Sequence, residues 1–297
     1  MSIVFRNYTS EPGITPDYRA VREMLLTIGY REFTYARWDW ATTHGYLKTS
    51  EIGRMGLWTE NGRAVGAALF DCVPGDSFLM CLPGYESLRR EMLAYARENM
   101  RGENGGLRVV IPETDREYQA LAATAGLTPT PDTERDAALL IGQTSLDYAL
   151  PAGYRITDMK ETYDMYQYGR VLWKGFNHEM NGEGAYEDAR QISWCGADGE
   201  MLRENVDLCL KIAAVAPDGN FCAYCGMWYE PRAGFAVVEP VATDPDHRRK
   251  GLGKAVVLEG IRRTAEMGAR LAVVGSSQQF YYSIGMRPYA TYNVWRD

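Results

Sequence analysis

The amino-acid sequence predicts a duplicated α+β fold, made of two strand-rich mixed units of about equal length. The two halves of the 297-residue chain show the same order of predicted strands and helices. Each half also contains a hairpin with strong turn residues, Asn61-Gly62 in the first half and residues 217–220 in the second. The break at residues 150–153 separates the halves, so we predict domains at residues 1–148 and 149–297.

In the first half, short apolar or alternating runs predict strands, and apolar residues at helical spacing predict helices. The helix at residues 85–99, for example, is indicated by Leu88, Met92 and Ala96, which recur at steps of four. The aromatic-rich segment 30–46 receives no element. The expected strands are residues 5–8, 77–82, 107–113, 137–142 and both arms of the hairpin within 54–71, and the other expected helices are residues 18–28 and 116–126.

The second half repeats this order from residue 154 onwards. The sequence identity between the halves is low, so the repeat rests on the order of elements rather than on matched residues. Strands are expected at residues 154–157, 207–216, 221–229, 234–243, 270–275 and 287–295. Helices are expected at residues 161–174, 253–268 and 277–285.

The composition is that of an ordinary globular protein, with 46% hydrophobic and 24% charged residues. The sequence has no membrane-length apolar run and no secretory signal, so we expect a cytoplasmic protein with no membrane partner. The net charge of −7 argues against a nucleic-acid partner and, if anything, favours cationic small molecules. Cys222 and Cys225 have redox or zinc spacing, but a strand would point their sulfurs to opposite faces, and we expect no metal site.

The most informative stretch is residues 237–255, VVEPVATDPDHRRKGLGKA. An apolar strand ends at an Asp-Pro-Asp turn, and the chain then passes through basic residues and two glycines into a helix. Glycines let the backbone approach an anion closely, and the unpaired amides of the first helical turn point at it. Arg248, Arg249, Lys250 and Lys254 add positive charge in an acidic protein. The stretch therefore predicts an anion-binding loop, with a solvated turn as the alternative.

The run VATDPDHRRKGLGKA resembles the coenzyme A-binding motif of the GNAT superfamily of acyl-CoA N-acetyltransferases, because Arg248-x-x-Gly251-x-Gly253 matches the family signature. A second motif, FYYSIGM at residues 280–286, is similar to the family's Phe-Tyr-x-x-x-Gly-Phe. Both motifs stand in the family's order. The resemblance covers nearly all of residues 151–297 and implies two tandem GNAT-like domains, each a mixed, mostly antiparallel twisted sheet flanked by helices.

The resemblance also implies a cofactor, acetyl-CoA, as acyl donor and no metal. The strand residues would present amides and carbonyls to the pantetheine arm, and the loop amides would hold the pyrophosphate with help from the helix dipole. The implied cofactor-binding residues are Val241, Ala242, Thr243, Arg248, Arg249, Lys250, Gly251, Leu252, Gly253 and Lys254. Tyr281 falls on the position of the family's general acid, which protonates the departing thiolate. The alternatives are an aromatic packed under the last strands, or Tyr282 as the acid.

An amine acceptor must lose a proton before it attacks a thioester, and Glu239 is the candidate base. It lies two residues before Val241 and so on the same strand face. A carboxylate within an apolar strand is costly unless it faces a wet cleft, and burial would raise its pKa. The alternative is a structural or substrate-orienting carboxylate, with water relaying the proton. The segment 173–179 lies where the family usually shapes its acceptor pocket, or is an ordinary loop.

The first half lacks both motifs. Residues 78–89 contain one glycine and an acid where phosphates would need cations, and Ala122 stands four residues before Gly126, where a general acid would lie. Residues 1–148 therefore resemble a degenerate copy that keeps the architecture and contributes to acceptor specificity.

The expected function is transfer of an acetyl group from acetyl-CoA to a primary amine of a small molecule, by direct attack in a ternary complex. The alternative is a non-catalytic acyl-CoA sensor or a partner-binding module. The expected partner is the amine acceptor, and the chain would be a monomer or a homodimer.

Overall fold

The computed structural model describes residues 2–187 and 200–297. The chain folds into two compact units, Met1–Arg135 with Tyr289–Asp297, and Asp136–Pro288. Both units combine helices with a mostly antiparallel sheet, which confirms the predicted α+β class. None of the described helices has the length and apolar character needed to cross a membrane.

The first half of the chain contains six strands and four helices among its described residues, and the strands and three of the helices follow the predicted order. The strands are β1 (Val4–Asn7), β2 (Gly56–Glu60), β3 (Arg63–Leu69), β4 (Asp76–Cys81), β5 (Arg108–Pro112) and β6 (Thr128–Leu140). The helices are α1 (Pro16–Ile28), α2 (Tyr35–Thr43), α3 (Arg89–Asn99) and α4 (Arg116–Thr124). Strands β1 to β4 pair antiparallel with their neighbours, whereas β4 and β5 pair in parallel.

Local sequence explains several of these elements. Asn61 (φ 51°) and Gly62 (φ 78°) both adopt the left-handed conformation that a tight β2–β3 turn requires. Helix α1 starts at Pro16 behind Thr15, whose side chain accepts a hydrogen bond from the amide of Tyr18 at 3.2 Å. The unassigned aromatic segment contains α2, which Thr34 caps in the same way.

The second half of the chain contains, within its described residues, six further strands and three helices. The strands are β7 (Arg155–Asp158), β8 (Lys211–Val215), β9 (Phe221–Tyr229), β10 (Phe235–Thr243), β11 (Leu271–Val274) and β12 (Arg287–Arg296). The helices are α5 (Met165–Gly175), α6 (Leu252–Glu266) and α7 (Gln279–Ser283). Strands β7 to β10 form an antiparallel series, and β10 and β11 pair in parallel, as β4 and β5 do.

The last strand of each half completes the sheet that the other half begins. In β12, Tyr292–Arg296 pair antiparallel with β5, and in β6 Ala137–Leu140 pair antiparallel with β11. Residues 136–148 therefore belong to the second unit and residues 289–297 to the first, a division that differs from the expected one at residues 148 and 149.

The sheet of the second unit is buried on both faces. Alternate residues of β8 point to opposite sides, so Ile212 and Ala214 belong to the core that contains α6, whereas Ala213 and Val215 belong to the core that contains α5. Helices α5 and α6 both pack on β9 and β10. Strand β10 is therefore held on both faces up to its carboxyl end.

Candidate active site

Strand β10 separates from β11 after the first third of its length. The parallel pairing joins Phe235–Val237 to Leu271–Val273, and beyond Val237 the described residues of β11 offer no further register partner. On its other side β10 stays paired with β9, through a register shift between Val238 and Val241. This β-bulge contains Glu239 and Pro240.

Gly226 of β9 lies opposite the bulge. A Cβ atom at this position would stand 2.4 Å from the carbonyl oxygen of Glu239, so only glycine fits there. The bulge and the facing glycine together leave the end of β10, Val241–Thr243, running beside an open space instead of beside β11.

A cavity of about 730 Å³ occupies that space. It is bounded by the end of α5, the end of β10, the following loop, the start of α6 and helix α7. Its lining residues are Gly175, Phe176, Asn177, Val241, Ala242, Thr243, His247, Arg248, Arg249, Gly251, Leu252, Gly253, Lys254, Gln278, Phe280, Tyr281, Ser283 and Ile284.

The loop from β10 to α6 is shaped by a buried acid and by two left-handed residues. Asp244 is 1% exposed, forms an ion pair with Lys174 Nζ at 2.9 Å and accepts a hydrogen bond from the Asp246 amide at 3.1 Å. Arg249 (φ 64°) and Gly251 (φ 81°) both adopt positive φ. Such a backbone turns successive amides toward one point, which suits an anion.

Helix α6 begins at Leu252, and among the described residues no side chain caps its first turn. The amides of that turn have no partner within the helix and lie at the positive end of its dipole. Gly253 brings this turn close to β10, because a Cβ there would stand 3.0 Å from Thr243 Oγ1. The helix start is therefore an anion-binding position at the cavity wall.

Of the four basic residues of the loop, Arg248 and Lys250 are hydrogen-bonded within the protein, whereas Arg249 and Lys254 are exposed at the cavity. Arg248 donates to the carbonyl oxygens of Thr243 (3.2 Å) and Gly175 (2.9 Å) and to Asn177 Oδ1 (2.7 Å), so its guanidinium joins α5 to β10.

Lys250 donates to Tyr154 Oη and to the Asp246 carbonyl, both at 3.2 Å, and does not line the cavity. Arg249 and Lys254 are exposed and line the cavity, which makes them the cations best placed to meet an anion there.

Tyr281 of α7 lines the cavity and is 7% exposed. Burial, and then the charges of Cys225 and Glu239, raise the pKa of the Tyr281 phenol above its ordinary value. The phenol is therefore protonated at neutral pH and can donate. Tyr282, the alternative, packs against the α6 core.

Glu239 is partly exposed in the bulge, and its backbone carbonyl accepts a hydrogen bond from Trp228 Nε1 at 2.9 Å. It is not among the lining residues, although its charge acts on Tyr281. The cavity thus brings together Tyr281 and nine of the ten expected cofactor-binding residues, all except Lys250.

The sequence placed the segment 173–179 at an acceptor pocket or in an ordinary loop, but it gave no sign of how closely Gly175 approaches β10. Gly175 packs so closely on β10 that a Cβ there would stand 2.6 Å from the Ala242 Cβ. No local sequence pattern predicts this close approach. In the segment 173–179, Phe176 lines the cavity. Trp173 is instead buried and stacks on His178, with 4.1 Å between the ring centroids.

The corresponding loop of the first unit is arranged differently. The amide of Gly84 donates to the Glu86 carboxylate at 2.9 Å, so an acid occupies the position where a phosphate would accept. Ala122 is fully buried. Within residues 2–187 and 200–297, no group of His, Cys, Asp and Glu side chains is arranged to hold a metal ion.

Residues 172–286 match the family model described as the acetyltransferase (GNAT) family. This part of the chain is therefore a GNAT domain, and it contains both motifs and the cavity. The matched family is one of acetyltransferases, which supports an acyltransferase. No curated protein matches the chain by sequence.

Solved structures extend the likeness of fold to the whole chain. A tandem GNAT protein from the clavulanic acid biosynthesis pathway is 16% identical, with a TM-score of 0.59 over 100% of this chain and 98% of that one. A GCN5-related N-acetyltransferase from Sphaerobacter thermophilus is 15% identical, with a TM-score of 0.59 over 99% and 95% of the two chains. The chain therefore has the tandem GNAT fold.

Proposed function

We propose that the second unit is an N-acetyltransferase, which moves an acetyl group from acetyl-CoA to a primary amine of a small molecule by direct attack in a ternary complex. The observation that carries this proposal is the cavity, in which the free end of β10, the uncapped start of α6 and Tyr281 share one space. Acetyl-CoA supplies an activated acyl group, as a thioester.

The loop chemistry fits a donor that carries a diphosphate. The first-turn amides of α6 and the positive-φ residues Arg249 and Gly251 offer donors, and Arg249 and Lys254 offer positive charge. Arg248 and Asp244 keep the loop in place through α5. The edge of Val241–Thr243 that faces the cavity suits the amide groups of a pantetheine arm.

Two side chains of the second unit would handle the protons. Glu239 takes one proton from the acceptor ammonium, and because it does not line the cavity a water molecule would relay that proton. The amine nitrogen then bonds to the thioester carbonyl carbon as the carbon–sulfur bond breaks. Tyr281 Oη gives its proton to the departing sulfur, and the nitrogen, which still carries one surplus proton, returns it to the Tyr281 phenolate through water. The products are an amide and the free thiol.

The first unit, in this proposal, is a degenerate copy that contributes to acceptor specificity and binds no acyl donor. The support is the Glu86 carboxylate, which takes the Gly84 amide and would repel a phosphate there.

Incubation with acetyl-CoA and a panel of small primary amines, with thiol release as the readout, tests the proposal. We expect release with at least one amine and a large loss of it in Glu239→Gln. Acetyl-CoA binding without thiol release from any amine, together with no loss of the protein's function in Glu239→Gln, would instead support the non-catalytic sensor. No binding at all would refute both functions.

A further inference from the structure

Lys211 is a buried lysine that takes no part in the acyl-transfer steps proposed above. It begins β8 and is 2% exposed, although lysine is almost never fully buried without partners. Its Nζ donates to the carbonyl oxygen of Met227 at 2.9 Å. The same nitrogen lies 3.4 Å from the ring centroid of Trp228, which is a cation–π contact.

These interactions connect Lys211 to the bulge of β10. In the β8–β9 register Lys211 faces Gly226, and Gly226 is the residue whose added Cβ would stand 2.4 Å from the Glu239 carbonyl oxygen. Trp228 Nε1 donates to that same oxygen at 2.9 Å. The indole therefore lies between the Lys211 ammonium and the Glu239 backbone and contacts both.

The charge of Lys211 also acts on Cys225 of β9, a neighbour of the bulge that does not line the cavity. Burial raises the pKa of the Cys225 thiol to about 12, against the lowering effect of Lys211. Cys225 and Glu239 in turn raise the pKa of Tyr281.

Other charged groups also lie on the helices that pack against β10, and Lys254 of α6 is exposed at the cavity. Arg170 and Lys174 of α5 form ion pairs with Asp244. Glu259 of α6 pairs with Arg262 and Arg263.

Resting on the proposed function, we propose that Lys211 is a positioning residue of the acyl-transfer site. Its ammonium holds Trp228 against the Glu239 bulge and favours the ionised Glu239 side chain, the form that accepts the proton of the amine. A cation near a carboxylate stabilises its charged form, so loss of the Lys211 charge should raise the pKa of Glu239.

The test is an NMR titration of the Glu239 carboxyl carbon in protein labelled with ¹³C-glutamate, with the signal assigned by its loss in Glu239→Gln. Lys211→Gln keeps a donor for the Met227 carbonyl and removes the charge, and Lys211→Met keeps the packing on Trp228. We expect both to raise the pKa of Glu239 measurably. Lys211→Arg should restore it, and Lys160→Met, at an exposed lysine of the same unit, should leave it unchanged.

An unchanged Glu239 titration in both neutral variants would overturn the proposal. If Lys211→Gln and Lys211→Met both unfold and Lys211→Arg stays folded, Lys211 contributes to stability alone, and the proposal is overturned as well. The titration needs no turnover, so it is separate from any failure of the proposed function. Where turnover is measured, the acidic limb of the kcat profile should move to higher pH in Lys211→Gln, because the carboxylate then forms at higher pH.

Discussion

Tyr281 and Glu239 show how far chemistry can be predicted from sequence at the scale of single residues. Tyr281 lines the cavity as its spacing to Gly285 indicated, because a short helix fixes the positions between them. Glu239 was expected on the face of Val241, since strand residues alternate. The bulge between Val238 and Val241 inserts one extra residue, so the alternation fails there and only Val241 lines the cavity. The roles of both residues stay predictions.

Replacing Tyr281 by phenylalanine tests the acid role. The ring still fills its buried place, but the proton for the departing sulfur is lost, so kcat should fall by about 10²- to 10⁴-fold. The Kd for acetyl-CoA should stay within about twofold, since the diphosphate contacts are elsewhere. Steady-state kinetics and calorimetry measure the two quantities. Tyr282→Phe tests the alternative acid, and a kcat for Tyr281→Phe equal to that of the native protein would exclude the acid role of Tyr281.

At the scale of elements, the sequence predicts those whose signals are local. The β2–β3 turn and the start of α6 follow from Asn-Gly and from the glycine loop. The first part of β6 was missed, because residues 128–136 are polar and contain two prolines. Thr128 and Thr130 donate to carbonyls of Arg296 and Val294, far along the chain, so pairing with a remote strand forms this part of β6.

Gly253→Ala tests the close approach of α6 to β10. The new methyl group would stand 3.0 Å from Thr243 Oγ1 and 3.4 Å from Phe280, so the start of the helix must move and its amides with it. We expect about tenfold weaker acetyl-CoA binding, the loss of roughly one charge-assisted hydrogen bond. The fold should persist, because alanine favours helix. Gly53→Ala, whose methyl would meet its nearest neighbour at an ordinary 3.7 Å, is the control. Equal acetyl-CoA affinities for Gly253→Ala and Gly53→Ala would contradict the expected close approach of α6 to β10.

At the scale of the whole molecule, the sequence predicts duplication but not the partners of the last strands. The segment 287–295 is predicted as a strand, yet nothing local says whether it pairs with β5 or with β11. The boundaries of the two compact units, after Arg135 and after Pro288, therefore could not be predicted from the local sequence.

The stability of the second unit should depend on pH through Glu259. Burial alone would raise its pKa, but hydrogen bonds from Arg262, Arg263 and Tyr148 lower it from 4.5 to about 2. A carboxylate with a lowered folded-state pKa stabilises the fold above its unfolded pKa, and this stability is lost as the pH falls from 4.5 toward 2.

We expect Glu259→Gln to be less stable than the native protein at pH 7, by on the order of 1–3 kcal/mol, and the difference to shrink in acid. Chemical denaturation at several pH values measures it. Glu266→Gln, at an exposed glutamate of the same helix, is the control. Parallel stability curves for Glu259→Gln and the native protein would contradict the assignment.

The central claim is that the loop after β10 binds the diphosphate of an acyl-CoA. Calorimetric titration of acetyl-CoA into the native protein, Arg249→Glu and Arg155→Glu tests it most directly, because Arg155 is an exposed arginine of the same unit away from the cavity. We predict one site per chain in the native protein and in Arg155→Glu, and binding about 10- to 100-fold weaker in Arg249→Glu. Equal affinity in all three proteins, or no binding by the native chain, would contradict the claim.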